Sequence, residues 1–245
     1  MADEIKSLGG DVLLADFQFD YEAFRVQFFD DWKVEIEDAP EKNHYEFHLG
    51  DVQAAMLTVP MKEANAVNGC AMNYEWEGSV EAVSAHRGHV QVAVLDCENA
   101  MRRYVLFTMI VSTMMKQENV IGLYRYPKVY RAEDFIEQAE IMKKEDIPIL
   151  LWVHIGLHQD AAGLWNCYTY GMEDFGKEEM EILHCKAHVL DMYQFMIQLA
   201  KWVISMDQTL TPDQGIAFGE NEVYRVERSE AVAYDGTTLK INYKN

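Results

Sequence analysis

Basic residues are scarce: Lys and Arg number 21 against 41 Asp and Glu, giving the 245-residue chain a formal net charge of −20. Affinity for phosphate backbones comes from clustered Lys and Arg, and anionic membrane surfaces select the same sign of charge. Neither nucleic acid nor membrane is therefore expected as a partner. Five prolines and fourteen glycines are too few to mark a linker, and no low-complexity segment interrupts the chain. The longest apolar run, Tyr104 to Met115, lies between Arg102, Arg103 and Lys116. A bilayer crossing needs about twenty residues, so this shorter run reads as a helix buried in a core. The start, Met1 to Gly10, has neither the basic opening nor the apolar run of a secretory signal. Cys70, Cys97, Cys167 and Cys185 form no C-x-x-C pair, which predicts four reduced, buried thiols and a cytoplasmic protein.

Catalytic signatures are missing too. There is no G-x-S-x-G elbow, no G-x-x-x-x-G-K-[ST] loop and no G-x-G-x-x-G turn, which excludes the common nucleotide-dependent enzymes. No H-E-x-x-H occurs, although histidines cluster at His86/His89, His154/His158 and His184/Cys185/His188. A zinc site needs three or four converging ligands. The expectation is hydrogen-bonded strand-end and loop histidines, with no metal and no cofactor.

What is present is the patterning of a folded chain. Half of it is hydrophobic (49%), ample for a core at this length. Asp20 can cap a helix carrying Tyr21, Phe24, Phe28 and Trp32 at helical spacing. Val34 to Glu37 alternates like a strand, and Tyr45 to Leu49 with Val52 to Val59 reads as a hairpin closed at Gly50-Asp51. A helix is predicted from Ala64 towards Ala85, a central strand over His89 to Leu95, and a helix over Asn99 to Gln117. Val120 to Tyr124 and Ile149 to Ile155 read as strands, with a helix over Ala132 to Lys144 between them. Trp165 to Met172 and Glu179 to Leu183 form a strand–turn–strand, Val189 to Ser205 the last long helix, and three strands follow to Tyr243. The interspersed order predicts an α+β fold with layered helices on a mixed or antiparallel sheet. Two halves are expected, 1–96 and 97–245, packed as one compact body, and each is compatible with a ferredoxin-like order.

The most distinctive text is W-N-C-Y-T-Y-G-M-E-D-F-G-K-E-E-M-E-I-L, Trp165 to Leu183. Period-two alternation sets Tyr168 and Tyr170 on one side of their strand. It likewise sets Met180 and Ile182 towards the core and Glu179 and Glu181 towards solvent. The predicted site is a recognition surface of Tyr168, Tyr170, Glu179 and Glu181, shared with His86 or His89. From Asp16 to Glu41, nine acidic residues meet only Arg25 and Lys33, a field that suits a basic protein.

The run G-M-x-x-F-G-K-x-E-M-E-I resembles the bacterial domain-of-unknown-function family 4261. Trp76, His86 and His89 before H-V-Q-V-A-V, P-I-L-L-W-V at Pro148 to Val153, and the closing G-x-x-L-K-I-N-Y support the resemblance, which spans about Leu57 to Tyr243. It departs at Gly215-Ile216-Ala217-Phe218-Gly219, where members tend to carry Thr-Ile-Gly. The resemblance implies no activity; members are similar to proteins found around bacterial toxin and immunity genes. The expected function is a non-catalytic, acidic protein-binding module, most concretely an immunity-type inhibitor of a basic toxin. A structural or adaptor module without a ligand, and an acid–base enzyme pairing His86 or His89 with Glu179 or Glu181, are the alternatives.

Overall fold

In the computed structural model, which describes residues 7–213, 215–218 and 222–244, the chain divides into two units, Met1–Asp146 and Ile147–Asn245. The polar opening at residues 1–6 and Gly219 of the 215–219 turn lie outside the described residues. Each unit is built on a six-stranded sheet, which makes the fold α+β as expected.

The first unit runs β1 (Leu8–Leu14), α1 (Tyr21–Trp32), β2 (His44–Leu49), β3 (Val52–Val59), α2 (Ala66–Gly69), α3 (Ser79–Ser84), β4 (Gly88–Leu95), α4 (Ala100–Met114), β5 (Val120–Arg125), β6 (Lys128–Arg131) and α5 (Ala132–Ala139). Its sheet order is β2-β3-β4-β1-β5-β6, antiparallel throughout. β1-α1-β3-β4-α4-β5 is the ferredoxin-like order, with β2 and β6 added at the edges. The division falls after Asp146 rather than after Asp96, because β1 hydrogen-bonds β4 on one side and β5 on the other. Cutting at 96 would split that sheet.

α1 begins where the Asp20 carboxylate accepts from Ala23 N–H at 2.9 Å. The Gln117 side chain brackets the same residue, accepting from Asp20 N–H and donating to its carbonyl. α4 is buried on nearly every face from Tyr104 to Met114 and packs on β1 and β4. Gly10 allows that approach, since a side chain there would meet Phe107 and Leu123. Leu13 points the opposite way, into a smaller cluster with Ala66, Cys70, Val83 and Val129.

The second unit runs α6 (Ile149–Trp152), β7 (His154–Gln159), β8 (Trp165–Tyr170), β9 (Met180–Cys185), α7 (Val189–Ser205), β10 (Gly215–Phe218), β11 (Glu222–Glu230) and β12 (Thr237–Ile241). Its sheet order is β10-β11-β12-β9-β8-β7, with β12 parallel to β9 and the other pairs antiparallel. α7 lays Met192, Met196, Leu199 and Val203 inward. After α6 the element order here is three strands, a helix and three strands, different from the first unit.

Three expected elements change character. Val34 to Glu37 is not a strand: only Ile36 is buried, and β2 already occupies the edge beside β3. The helix expected from Ala64 breaks at Asn73, whose side-chain oxygen accepts from Glu75 and Trp76 N–H while its amide donates to the Val129 carbonyl. Ile149 to Trp152 is a helical turn opened by Pro148, because a short apolar run does not distinguish buried helix from strand. All four cysteines are free and buried.

Replacing Asp20 with Ala removes an N-cap and should cost about 1 kcal/mol. Urea denaturation should show a lowered midpoint with an unchanged slope, whereas an unchanged midpoint would mean the cap contributes nothing.

Candidate functional site

Glu179 and Glu181 do not face solvent. They are 4% and 1% exposed, as buried as Met180 and Ile182 between and after them. An ionised carboxylate tolerates such a place only when donors surround it, and each glutamate has its own set.

Glu179 ties the distinctive turn together. One oxygen accepts from the Gly171 and Met172 N–H groups at 2.6 and 2.8 Å, and the other from the Thr169 hydroxyl at 2.6 Å. Thr169 in turn accepts from Met180 N–H at 2.8 Å. Gly171, at φ +113°, takes a backbone conformation that a side chain would strain, and it turns successive N–H groups towards the carboxylate. Burial raises the Glu179 carboxyl above its ordinary range, and the Thr169 and backbone donors pull it back.

Glu181 holds the loop between β11 and β12. It accepts from Val232 N–H at 3.0 Å, Ala233 N–H at 2.9 Å and the Thr238 hydroxyl at 2.9 Å, and it pairs with the Lys240 ammonium at 2.5 Å. Burial alone would raise its carboxyl; Lys240 and the three hydrogen-bond donors outweigh that and hold it below the ordinary 4.5. Sequence reading missed these partners because they lie about fifty positions away.

The tyrosines form a separate surface feature. Tyr170 is exposed, Tyr168 half-buried, and Tyr234 from the 231–236 loop packs edge-on against both, with ring centroids 6.2 and 6.3 Å away. Tyr168 also lies over Gly156, where no side chain would fit. Burial, then the charges of Glu179 and Glu181, push the Tyr234 hydroxyl well above its ordinary value. Tyr234 is thus a neutral donor, and it bonds the Thr169 carbonyl at 3.3 Å.

His86 and His89 belong to the first unit and are buried there. His86 bonds the Val83 carbonyl through Nδ1 and accepts from Glu63 N–H through Nε2 at 2.9 Å, so both ring nitrogens are used. His89 bonds the Met61 carbonyl through Nδ1 at 2.8 Å, and its Nε2 stands 3.7 Å from Asp11. The His184/Cys185/His188 trio disperses: His184 pairs with Asp160, Cys185 reaches the Tyr243 carbonyl, and His188 caps α7.

The sequence reading marked the acidic stretch from Asp16 to Glu41 but not the apolar residues exposed within it. On the outer side of α1, Val26 and Phe29 are 59% and 47% exposed, and Val34 lies just beyond the helix. They flank a cleft of about 260 Å³ lined by Arg25, Val26, Phe29, Asp30, Glu35 and Ile36. Asp30, Glu35 and Glu37 make no ion pair among the described residues, whereas Glu22 pairs with Arg25 and Asp31 with Lys116.

Glu181→Gln places amide hydrogens against donors and removes the charge facing Lys240, a loss of about 3 kcal/mol at pH 7. A folded-state carboxyl held below 4.5 stabilises above that value, and its contribution is lost as pH falls through the depressed value. Denaturation at pH 7 and again below pH 4 should therefore show the gap between variant and parent closing in acid. A gap independent of pH would contradict the charged pairing.

No curated protein and no solved structure matches the chain. A family model does match, over residues 168–242, a narrower stretch than Leu57 to Tyr243. That stretch holds both glutamates and the partners described above, from Thr169 to Lys240. Its match is to the family described as Domain of unknown function (DUF4261), and it supports the kinship with domain-of-unknown-function family 4261.

Proposed function

We propose that this protein is a non-catalytic, acidic protein-binding module whose partner is basic, and that an immunity-type inhibitor of a bacterial toxin is its most concrete form. The observation that carries this reading is the α1 face. Exposed Val26 and Phe29 share a cleft with Asp30 and Glu35, which make no ion pair among the described residues, while Arg25 lines the same cleft and the Lys33 ammonium lies 5.6 Å from the centre of the Phe29 ring. An apolar centre with a charged rim is the anatomy of a specific protein interface. The net charge of −20 would speed encounter with a basic partner and disfavour acidic ones.

The acid–base enzyme reading loses its residues. Glu179 and Glu181 are enclosed by hydrogen-bond donors, His86 has both nitrogens engaged, and His89 stands beside Asp11. A proton carrier needs an open position beside a substrate. Recognition through Glu179 and Glu181 is disfavoured by the same burial, and the reading rests on α1.

Affinity capture from the native host at low salt, with the product of the adjacent gene as first candidate, identifies the partner. Charge reversal at Asp30, Glu35 and Glu37 to Lys should slow association at least 10-fold and flatten its salt dependence. Val26→Ala with Phe29→Ala should speed dissociation by about 30-fold or more, the scale of a binding hot spot. Both sets should melt within a few degrees of the parent. Unchanged binding by both sets would remove α1 as the docking face, and capture of only acidic partners would overturn the reading.

A further inference from the structure

The sheet of the first unit has two differently covered faces. Val12, Val90, Val92 and Val94 are buried on the face that carries α4. The opposite face is covered at one end, where Leu13 meets the α2–α3 layer, and is open at the other. The open end is a cleft of about 420 Å³ lined by small and polar positions, among them Gly9, Asp11, Ala55, Gln91 and Ala93. Asp11 stands where cover gives way to cleft. Register brings His89 beside it: Asp11 opposes Gln91, and Leu13 opposes His89, on the same face. Glu63, in the segment between β3 and α2, completes the group, and the ligand atoms of Asp11, Glu63 and His89 lie within 4.8 Å of one another.

The cluster has the chemistry of a cation site. The Met61 carbonyl can only accept, so His89 Nδ1 carries the hydrogen, and in the neutral ring Nε2 presents its lone pair to the carboxylates. That Nε2 makes no hydrogen bond among the described residues, although the side chain is only 4% exposed; Asp11 at 3.7 Å is beyond hydrogen-bond reach. A backbone carbonyl holding the far nitrogen of a ligating imidazole is the usual support for such ligands. His86 anchors Glu63 through its N–H, and Asn65 N–H donates to Oε1 of Glu63 at 2.9 Å. No Lys or Arg pairs with Asp11 or Glu63 among the described residues, and neighbouring Lys62 reaches away to the Ser84 carbonyl.

We propose that Asp11, Glu63 and His89 bind one divalent first-row transition cation, with the remaining coordination positions open to the adjoining cleft. One imidazole and two carboxylates suit Zn²⁺, Mn²⁺ or Fe²⁺ over Ca²⁺ and Mg²⁺, which favour all-oxygen shells. Bonds of about 2.1 Å draw the donors closer than they now stand, and Glu63, outside the sheet, supplies that movement. His86 acts as a positioning residue. The proposal is independent of the protein-binding reading, since α1 contributes nothing to it.

The test is calorimetric titration of untagged, chelator-treated full-length protein with Zn²⁺, with Mg²⁺ as the comparison. The expected result is one equivalent of Zn²⁺, bound at least 100-fold more tightly than Mg²⁺. His89→Gln, Asp11→Asn and Glu63→Gln should each weaken it at least 10-fold, while His184→Gln leaves it unchanged. Glu63→Gln alters no strand residue, so it decides the matter should either sheet variant fail to fold. Absence of saturable Zn²⁺ binding by the parent protein would overturn the site. So would weak binding of several equivalents that Glu63→Gln does not alter, which is how a chain of this charge attracts cations without a site.

Discussion

A charge that leaves water must find donors or a counter-ion, and much of this fold follows from meeting that constraint at a few buried groups. Glu179 and Glu181 flank a methionine inside a sheet, where unbonded carboxylates would not remain ionised. Their donors come mainly from backbone N–H groups of two turns, 171–172 and 232–233, so the same contacts that satisfy the charges fix the path of the chain. The segment from Gly171 to Glu179 is then a loop folded around a carboxylate, and the 231–236 loop closes over the next one. This gives the G-M-x-x-F-G-K-x-E-M-E-I run a structural role: Gly171 for its backbone angle, Gly176 for the left-handed cap at φ +69°, and the glutamates for their acceptors.

The first unit meets the constraint differently. His86 is satisfied on both nitrogens, but Asp11, Glu63 and His89 are drawn together with no Lys or Arg paired to either carboxylate among the described residues, beside an open stretch of sheet. Complete satisfaction marks the carboxylates of the second unit as structural. Incomplete satisfaction marks the trio of the first as a place for something else to bind. Around α1, carboxylates lie in water and cost nothing to leave unpaired, and there the apolar neighbours Val26 and Phe29 make the face suited to a partner.

Long periodic segments were legible in the sequence. His89 to Leu95 and Val189 to Ser205 carry enough repeats to define both element and buried face, and they appear as β4 and α7. Short segments were not: Val34 to Glu37 alternates but has no edge to join, and Lys128–Arg131 forms a strand too brief to signal itself. Alternation also misled at Glu179-Met180-Glu181-Ile182. It assigned the apolar pair to the core correctly, but it assumed that the other side meets water. For Glu181 that depends on a loop some fifty residues later, which no local pattern encodes; for Glu179 it depends on the turn just upstream curling back over the carboxylate. The Asp11–Glu63–His89 group was hidden for the same reason, its members being spread over three separate segments.

The central claim is that Glu179 and Glu181 organise turns from within instead of presenting charge to a partner. Native-state hydrogen exchange at the Gly171, Met172, Val232 and Ala233 amides tests it most directly, since opening free energies report which hydrogen bonds are integral to the fold. The account predicts that these turn amides are protected to the same degree as the paired amides of β8 and β9, and that Glu181→Gln removes protection at Val232 and Ala233 first. Exchange as fast as that of the exposed turn at Asp235 and Gly236 would contradict it.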